Sequence, residues 1–191
     1  IAIIGRANVG KSTLFNRLLE SRKAIVSPVP GTTRDRAEGL CIWRARVIRV
    51  IDTGGVDIRH PSDIEAEILR QADLAMQEAD LILFLVDGEV SLTDFDRRLA
   101  AKIESLGKPF VIAAGKADTA AAREREHEAW SWKHGDPRRI SSARGHGVGD
   151  LLDDIFEKLA AIGRPAEDIV DVEATRVTVI GKPNVGKSSL L

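Results

Sequence analysis

Residues 5–12, Gly5-Arg6-Ala7-Asn8-Val9-Gly10-Lys11-Ser12, fit the spacing G-x-x-x-x-G-K-[ST]. They follow an apolar run at 1–4 and open a helical pattern at 11–20, the strand-to-helix setting that this spacing requires. The glycines let backbone N–H groups wrap the α- and β-phosphates of a nucleotide, and the helix N-terminus adds a favourable dipole. Lys11 brings a point charge to the β- and γ-phosphates, the Ser12 hydroxyl is a Mg²⁺ ligand, and Thr13 follows in the same turn. The competing reading of the octapeptide is a glycine-rich turn between strand and helix.

Working outward, β-rich apolar runs alternate with helical patterns, which predicts an α/β P-loop fold. Its expected form is a mostly parallel six-stranded sheet with one antiparallel strand and helices on both faces. The strand candidates are 1–4, 40–43, 47–51, 81–86, 110–113 and 139–141. The second and third are separated only by Arg44-Ala45-Arg46 and read as a hairpin. Helical patterns run over 11–20, 62–78, 93–105, 120–132 and 148–162, with Ser62 and Thr93 as N-caps.

Asp52 stands at the end of the third strand, where a P-loop nucleotide site needs an acid for Mg²⁺. With Thr53, Gly54 and Gly55 it spells D-x-x-G, in which Gly55 offers its N–H to the γ-phosphate; a lone turn-forming Asp is the alternative. Between cradle and acid lies Pro30-Gly31-Thr32-Thr33-Arg34-Asp35, a polar, turn-rich stretch suited to closing over a triphosphate. Thr33 is the better of its two threonines for Mg²⁺ and the γ-phosphate. Open α/β sheets bind ligands at the C-terminal edge of their strands. The base-reading candidates are therefore Gly115-Lys116-Ala117-Asp118 after the fifth strand and Ser141-Ser142-Ala143 after the sixth. An Asp118 carboxylate accepting from guanine N1–H and the 2-amino group would reject adenine, while the Lys116 stem covers the base. A turn opening a helix, capped by Asp118, is the alternative.

The chain then repeats itself. Residues 1–15, IAIIGRANVGKSTLF, and 177–191, VTVIGKPNVGKSSLL, match at 8 of 15 positions. The second cradle carries Gly181, Asn184, Gly186, Lys187 and Ser188. Between the two lies 163–175, with Pro165 and four acids against one base, which reads as a linker. The expected division is a complete nucleotide-binding domain at 1–162, a linker at 163–175 and the opening of a second domain at 176–191. Ile1 begins the chain inside a strand pattern and Leu191 ends it inside a helical one, so both ends read as cut.

These stretches, GRANVGKS, PGTTRD, DTGGVD, GKAD and ISSARGHGVGDLL in that order and then GKPNVGKS, resemble the translation-factor-related GTPases of the Era and TrmE type. The tandem P-loop resembles the Der (EngA) family of bacterial GTPases with two G domains. The resemblance implies Mg·GTP hydrolysis to GDP and a switch role in assembly of the large ribosomal subunit, with that subunit or its precursor as partner. It also implies that Asn8 ligates a K⁺ ion beside the β- and γ-phosphates, although an Asn that bonds its own turn is the alternative. In the catalytic roles it places Lys11, Thr33 and Gly55.

Two departures from the family pattern stand out, and a further position differs from many other GTPases. Gly115 occupies the Asn position of N-K-x-D, which implies weaker guanine binding; Ala7 replaces the usual Pro, kept as Pro183 in the second cradle. Val56 follows D-x-x-G where many GTPases carry a water-orienting Gln. The rival expectations are a nucleotide-gated ribosome- or RNA-binding module with negligible hydrolysis, and an inactive fragment.

Composition narrows the partners. Of 191 residues, 28 are Lys or Arg and 29 Asp or Glu, a net charge of −1 that argues against DNA or general polyanion binding. The longest apolar run, 81–86, is far short of a membrane span. A single cysteine, Cys41, leaves no intrachain disulfide and fits the cytoplasm. Arg44, Arg46 and Arg49 read as the charged guard of an exposed hairpin before they read as RNA contacts.

Overall fold

The computed structural model describes residues 1–20, 37–53, 64–124 and 136–168. Its elements are β1 (Ala2–Ile4), α1 (Lys11–Glu20), β2 (Ala37–Trp43), β3 (Arg46–Asp52), α2 (Ile64–Glu78), β4 (Ile82–Asp87), α3 (Asp94–Ser105), β5 (Phe110–Gly115), α4 (Ala120–Glu124), β6 (Arg138–Arg139), α5 (Val148–Ala161) and β7 (Glu167–Asp168). The strands order as β2-β3-β1-β4-β5-β6, with β7 on β3. Pairs β1–β3, β1–β4, β4–β5 and β5–β6 are parallel, while β2 and β7 run antiparallel to β3.

Side-chain alternation splits the core into two layers, one on each face of the sheet. Ile3, Leu83 and Leu85 point to the layer holding Leu14 and Leu18 of α1 and Leu151, Ile155 and Phe156 of α5. Ala2, Ile4, Phe84 and Val86 point to the layer holding Met76 of α2 and Leu99 and Ile103 of α3. Every residue of β4 is buried, which explains its uninterrupted apolar run: a parallel strand covered on both faces has no polar side to show.

Local signals set the element ends. Thr93 caps α3 in a capping box, its hydroxyl accepting from the Asp96 N–H while the Asp96 carboxylate accepts from the Thr93 N–H. The hairpin turns through Arg44 and Ala45 at φ 49° and 62°, the left-handed pair that matches strand twist. No Gly or Asn eases that turn; instead Asp153 takes Trp43 Nε1 and Arg44 Nη2, each at 2.7 Å. The arginines of this hairpin are engaged within the fold. Arg46 lies over the Phe156 ring and Arg49 pairs with Glu38 and Glu78.

Some expected boundaries shift. β4 extends to Asp87 and β5 to Gly115, β2 starts at Ala37, β6 shortens to two residues, and α2 is described from Ile64. The proposed cap Ser62 and the 125–132 part of the fourth helical pattern lie outside the described residues. The sheet has seven strands where six were expected, and two of them are antiparallel. The extra strand comes from the stretch read as a linker. β1 reaches β3 only at Ile51 and Asp52, so the backbone of Arg46 and Val47 is open on that side, and Glu167 and Asp168 pair there. Asp168 sits in register with Arg46.

Candidate functional site

The parallel strands end at one edge of the sheet, and those predicted site residues of 1–162 that the structure describes gather there. β1 runs into the loop 5–10, β3 ends at Asp52, β4 at Asp87 and β5 at Gly115, while Ser141 follows β6. The site thus has a phosphate side and a base side.

On the phosphate side, the chain must pass close to β4 before turning into α1. A Cβ on Gly5 would come within 2.3 Å of the Leu85 carbonyl oxygen, so only glycine fits. Gly10 turns at φ 98° and Asn8 at φ 64°. The left-handed backbone at Asn8 accounts for an Asn there without any ion. Val9 is buried and anchors the loop, whereas Ala7, Asn8, Ser12 and Thr13 are exposed on its outer side.

Lys11 is buried and donates from Nζ to the Arg6 carbonyl at 2.8 Å. Burial lowers its pKa from the ordinary 10.5, with the Asp52 charge opposing and the Arg6 charge adding to the drop. Asp52 and Thr53 are buried beside it, and Thr53 Oγ1 donates to the Ile3 carbonyl at 2.9 Å. This donor set fits a Mg·nucleotide: a turn of exposed backbone, a buried ammonium for phosphate oxygens, and Ser12 and Asp52 as hard oxygen ligands. Among the described residues no cluster of three or more His, Cys, Asp or Glu could hold a metal alone. That suits Mg²⁺, which takes few protein ligands plus substrate phosphates.

On the base side, Lys116 sits at φ 58° and its side chain enters a network the sequence did not announce. Its Nζ donates to Asp87 Oδ2 at 2.8 Å and pairs with Glu89 at 3.1 Å. The Asp87 carboxylate also takes Arg6 Nη2 at 3.2 Å, and Arg6 Nε lies 3.5 Å from Asp96. Burial pushes the Asp87 carboxyl up, but the Lys116 hydrogen bond, the Glu89 N–H and the charges of Lys116 and Arg6 outweigh it and hold it below 3.8. Asp87 therefore ties the phosphate loop to the base loop.

Asp118 is kept ionised chiefly by a hydrogen bond from Ser141, helped by the charges of Arg144 and His146. Ala117 N–H donates to the Ile140 carbonyl at 2.9 Å, joining 115–118 to 141–143. Arg17 of α1 fixes the second of these loops, donating to the carbonyls of Ser142 at 2.9 Å and Ala143 at 2.6 Å. Gly115 has a backbone role as well: its carbonyl accepts from the Gly88 N–H at 2.9 Å.

Thr33, Gly54, Gly55 and Val56, and the second cradle with Gly181, Asn184, Gly186, Lys187 and Ser188, lie outside the described residues. Sequence reading missed Arg17, Asp87, Asp96 and Arg144. Only Asp87 left a trace, as a charge ending an apolar strand at the ligand edge. A separate cavity of about 990 Å³ lies at the opposite end of the sheet, against the start of β5 and α5. No helix among the described residues is long and apolar enough to cross a membrane.

The family model described as 50S ribosome-binding GTPase matches residues 1–116. GTPase Der of Clostridium novyi is 44% identical over 191 residues, all of this chain and 43% of the relative. GTPase Der of Porphyromonas gingivalis is 41% identical over the same span. The chain therefore spans less than half the length of these curated relatives. Among solved structures, Aquifex aeolicus Era bound to GDP·AlF4⁻ is similar at 30% identity and TM-score 0.60, covering 82% of this chain and 55% of that one. Era in complex with MgGDPNP and nucleotides of 16S ribosomal RNA is similar at 29% identity and TM-score 0.62, with the same coverage.

Proposed function

Because the chain belongs to the 50S ribosome-binding GTPase family, we propose that it binds Mg·GTP in the cradle of residues 5–13 and hydrolyses it slowly to GDP and phosphate. The observation that carries this is the buried pair of Lys11 and Asp52 beneath the 5–10 turn. An ammonium held in a low-dielectric pocket, next to an acid that suits Mg²⁺, is arranged for phosphate oxygens.

Catalysis in this reading is positioning and charge neutralisation. Lys11 turns from the Arg6 carbonyl to the β- and γ-phosphates. Ser12, Asp52 and Thr33 would hold Mg²⁺, which when bound would offset phosphate charge. Gly55 N–H meets the γ-phosphate, and Thr33 and Gly55 order or release their loops with the nucleotide. Val56 has no group to orient water, so catalytic help must come from elsewhere; Asn8 would hold K⁺, which would neutralise charge developing on the β- and γ-phosphates. Asp118 selects guanine, with Lys116 and residues 141–143 around the base.

The 50S ribosome-binding description of the family model and the relatives named GTPase Der support reading it as a switch that acts on the large ribosomal subunit or its precursor in the cytoplasm, while the Era structure with 16S ribosomal RNA supports a ribosomal RNA context alone. On that reading 1–162 together with the β7 pair at 167–168 is the switch domain, the rest of 163–175 the tether and 176–191 the start of a second G domain. Val56 also favours a second reading, a nucleotide-gated module with negligible hydrolysis. Titration calorimetry with GDP and ADP tests the proposal. Tight GDP binding with weak ADP binding is the expected result, and ADP preference would overturn it. Phosphate release with and without K⁺ and ribosomal subunits separates the two readings.

A further inference from the structure

One buried carboxylate near the cradle lies on no ligand loop. Asp96 sits in the first turn of α3, 1% exposed, and its visible task is to cap that helix. Its Oδ2 performs it, accepting from the Thr93 N–H at 3.0 Å and from Thr93 Oγ1 at 2.8 Å. Its Oδ1 is buried with no hydrogen-bond partner among the described residues. A capping box uses one acceptor oxygen, so it accounts neither for the second oxygen nor for the burial of a charge.

The donor that can meet that oxygen is on the phosphate loop. Arg6 Nε is likewise buried and without a hydrogen-bond partner among the described residues, and it lies 3.5 Å from Asp96 Oδ2. The separation is a charge contact but is long for a hydrogen bond, whereas Arg6 Nη2 has reached Asp87 at 3.2 Å. An orphan donor and an orphan acceptor on opposite charges are satisfied together by a closure of roughly 0.5 Å. The main chain supplies a reason for that closure. The Arg6 carbonyl is held by Lys11 Nζ at 2.8 Å, the ammonium that the phosphate chemistry draws away. Once Lys11 serves phosphate oxygens, Arg6 and the left-handed turn through Asn8 and Gly10 depend on the arginine side chain for their anchor.

We infer that Asp96 is a positioning residue for nucleotide binding: it receives the Arg6 guanidinium as Lys11 turns to phosphate, and so fixes the phosphate loop to the start of α3. This rests on the nucleotide reading of the cradle and adds to it a helix that contributes no ligand. The bland alternative is that Asp96 serves only as the cap of α3.

The test is titration calorimetry on the whole chain with GDP and with pyrophosphate, alongside the melting temperature of the nucleotide-free protein. Asp96→Asn keeps a capping oxygen and removes the charge. It should weaken GDP and pyrophosphate by the same factor, roughly tenfold. Arg6→Lys keeps the charge but cannot bridge Asp87 and Asp96; it should show a similar loss, to which Asp96→Asn in the same chain adds little. Thr93→Ala removes the cap from its other side, and should lower the melting temperature while leaving both affinities within about twofold. Should Asp96→Asn not fold, Arg6→Lys against Thr93→Ala makes the same comparison. The inference is overturned by unchanged affinities in Asp96→Asn or Arg6→Lys, by a loss for GDP alone, by additive losses in the double variant, or by an equal loss in Thr93→Ala. A wild type that binds neither GDP nor pyrophosphate overturns the nucleotide reading itself, a result distinct from any of these.

Discussion

Lys116 Nζ and Asp87 Oδ2 lie 2.8 Å apart, and through that contact the residue beneath the base loop is joined to the strand beside the phosphate loop. The same carboxylate receives Arg6, so one buried acid orients two cations that belong to different halves of the site.

Asp87→Asn keeps the shape and removes the charge both cations share. Hydrogen bonds to charged groups contribute about 1.5–3 kcal/mol, so GDP affinity should fall at least roughly tenfold by calorimetry. The Asp87 pKa is held down in the folded state. Its contribution to stability is therefore complete above the unfolded carboxyl value near 4 and disappears as pH falls through the folded value. Urea unfolding should show wild type and Asp87→Asn well apart at neutral pH and converging at lower pH.

Lys11 is costly to keep charged, because burial pulls its pKa down. Lys11→Met should raise the melting temperature of the nucleotide-free protein by a few degrees, since an apolar side chain of similar length removes that desolvation cost. GTP turnover should drop by about 100-fold or more, the loss typical of removing one preorganised charge donor. A variant that melts lower would show that the Arg6 carbonyl contact outweighs burial.

Arg17 reaches the base loop from a helix 125 positions earlier in the chain. Arg17→Ala should lower GDP affinity about fivefold, near 1 kcal/mol for the loop order lost. Pyrophosphate, which has no base, should bind as before. Equal losses for GDP and pyrophosphate would place the defect in α1.

Potassium gives a prediction independent of any substitution. GTP turnover should be several-fold faster in KCl than in NaCl at equal ionic strength, and Asn8→Ala should remove the difference. Equal rates in the two salts would leave Asn8 with only its turn-forming role.

What could be read from the chain follows from where each signal resides. The cradle, the Thr93 cap and the buried β4 were legible because spacing, capping chemistry and hydrophobic runs are local. The place of Asp52 at the end of β3 was legible because an acid closing an apolar run is a local signal. Arg6–Asp87 joins residues 81 positions apart, and the Arg17 contacts span 125 and 126, so neither leaves a periodic or motif signal. β7 was missed because two acidic residues after a proline look like tether; the open edge of Arg46 and Val47 that recruits them exists only once β1 has paired.

That small strand gives the molecule a mechanical character. β3 is contacted at its first residues by the outgoing chain and carries Asp52 at its last, six residues and about 20 Å away. Tension along the chain beyond Asp168 is borne first by a two-residue antiparallel ladder at Arg46 and Val47. Two paired residues hold less than the longer β2–β3 and β4–β5 ladders, so under load applied beyond Asp168 the β7 pairing would be first to yield, a mechanical fuse ahead of the nucleotide edge of the sheet.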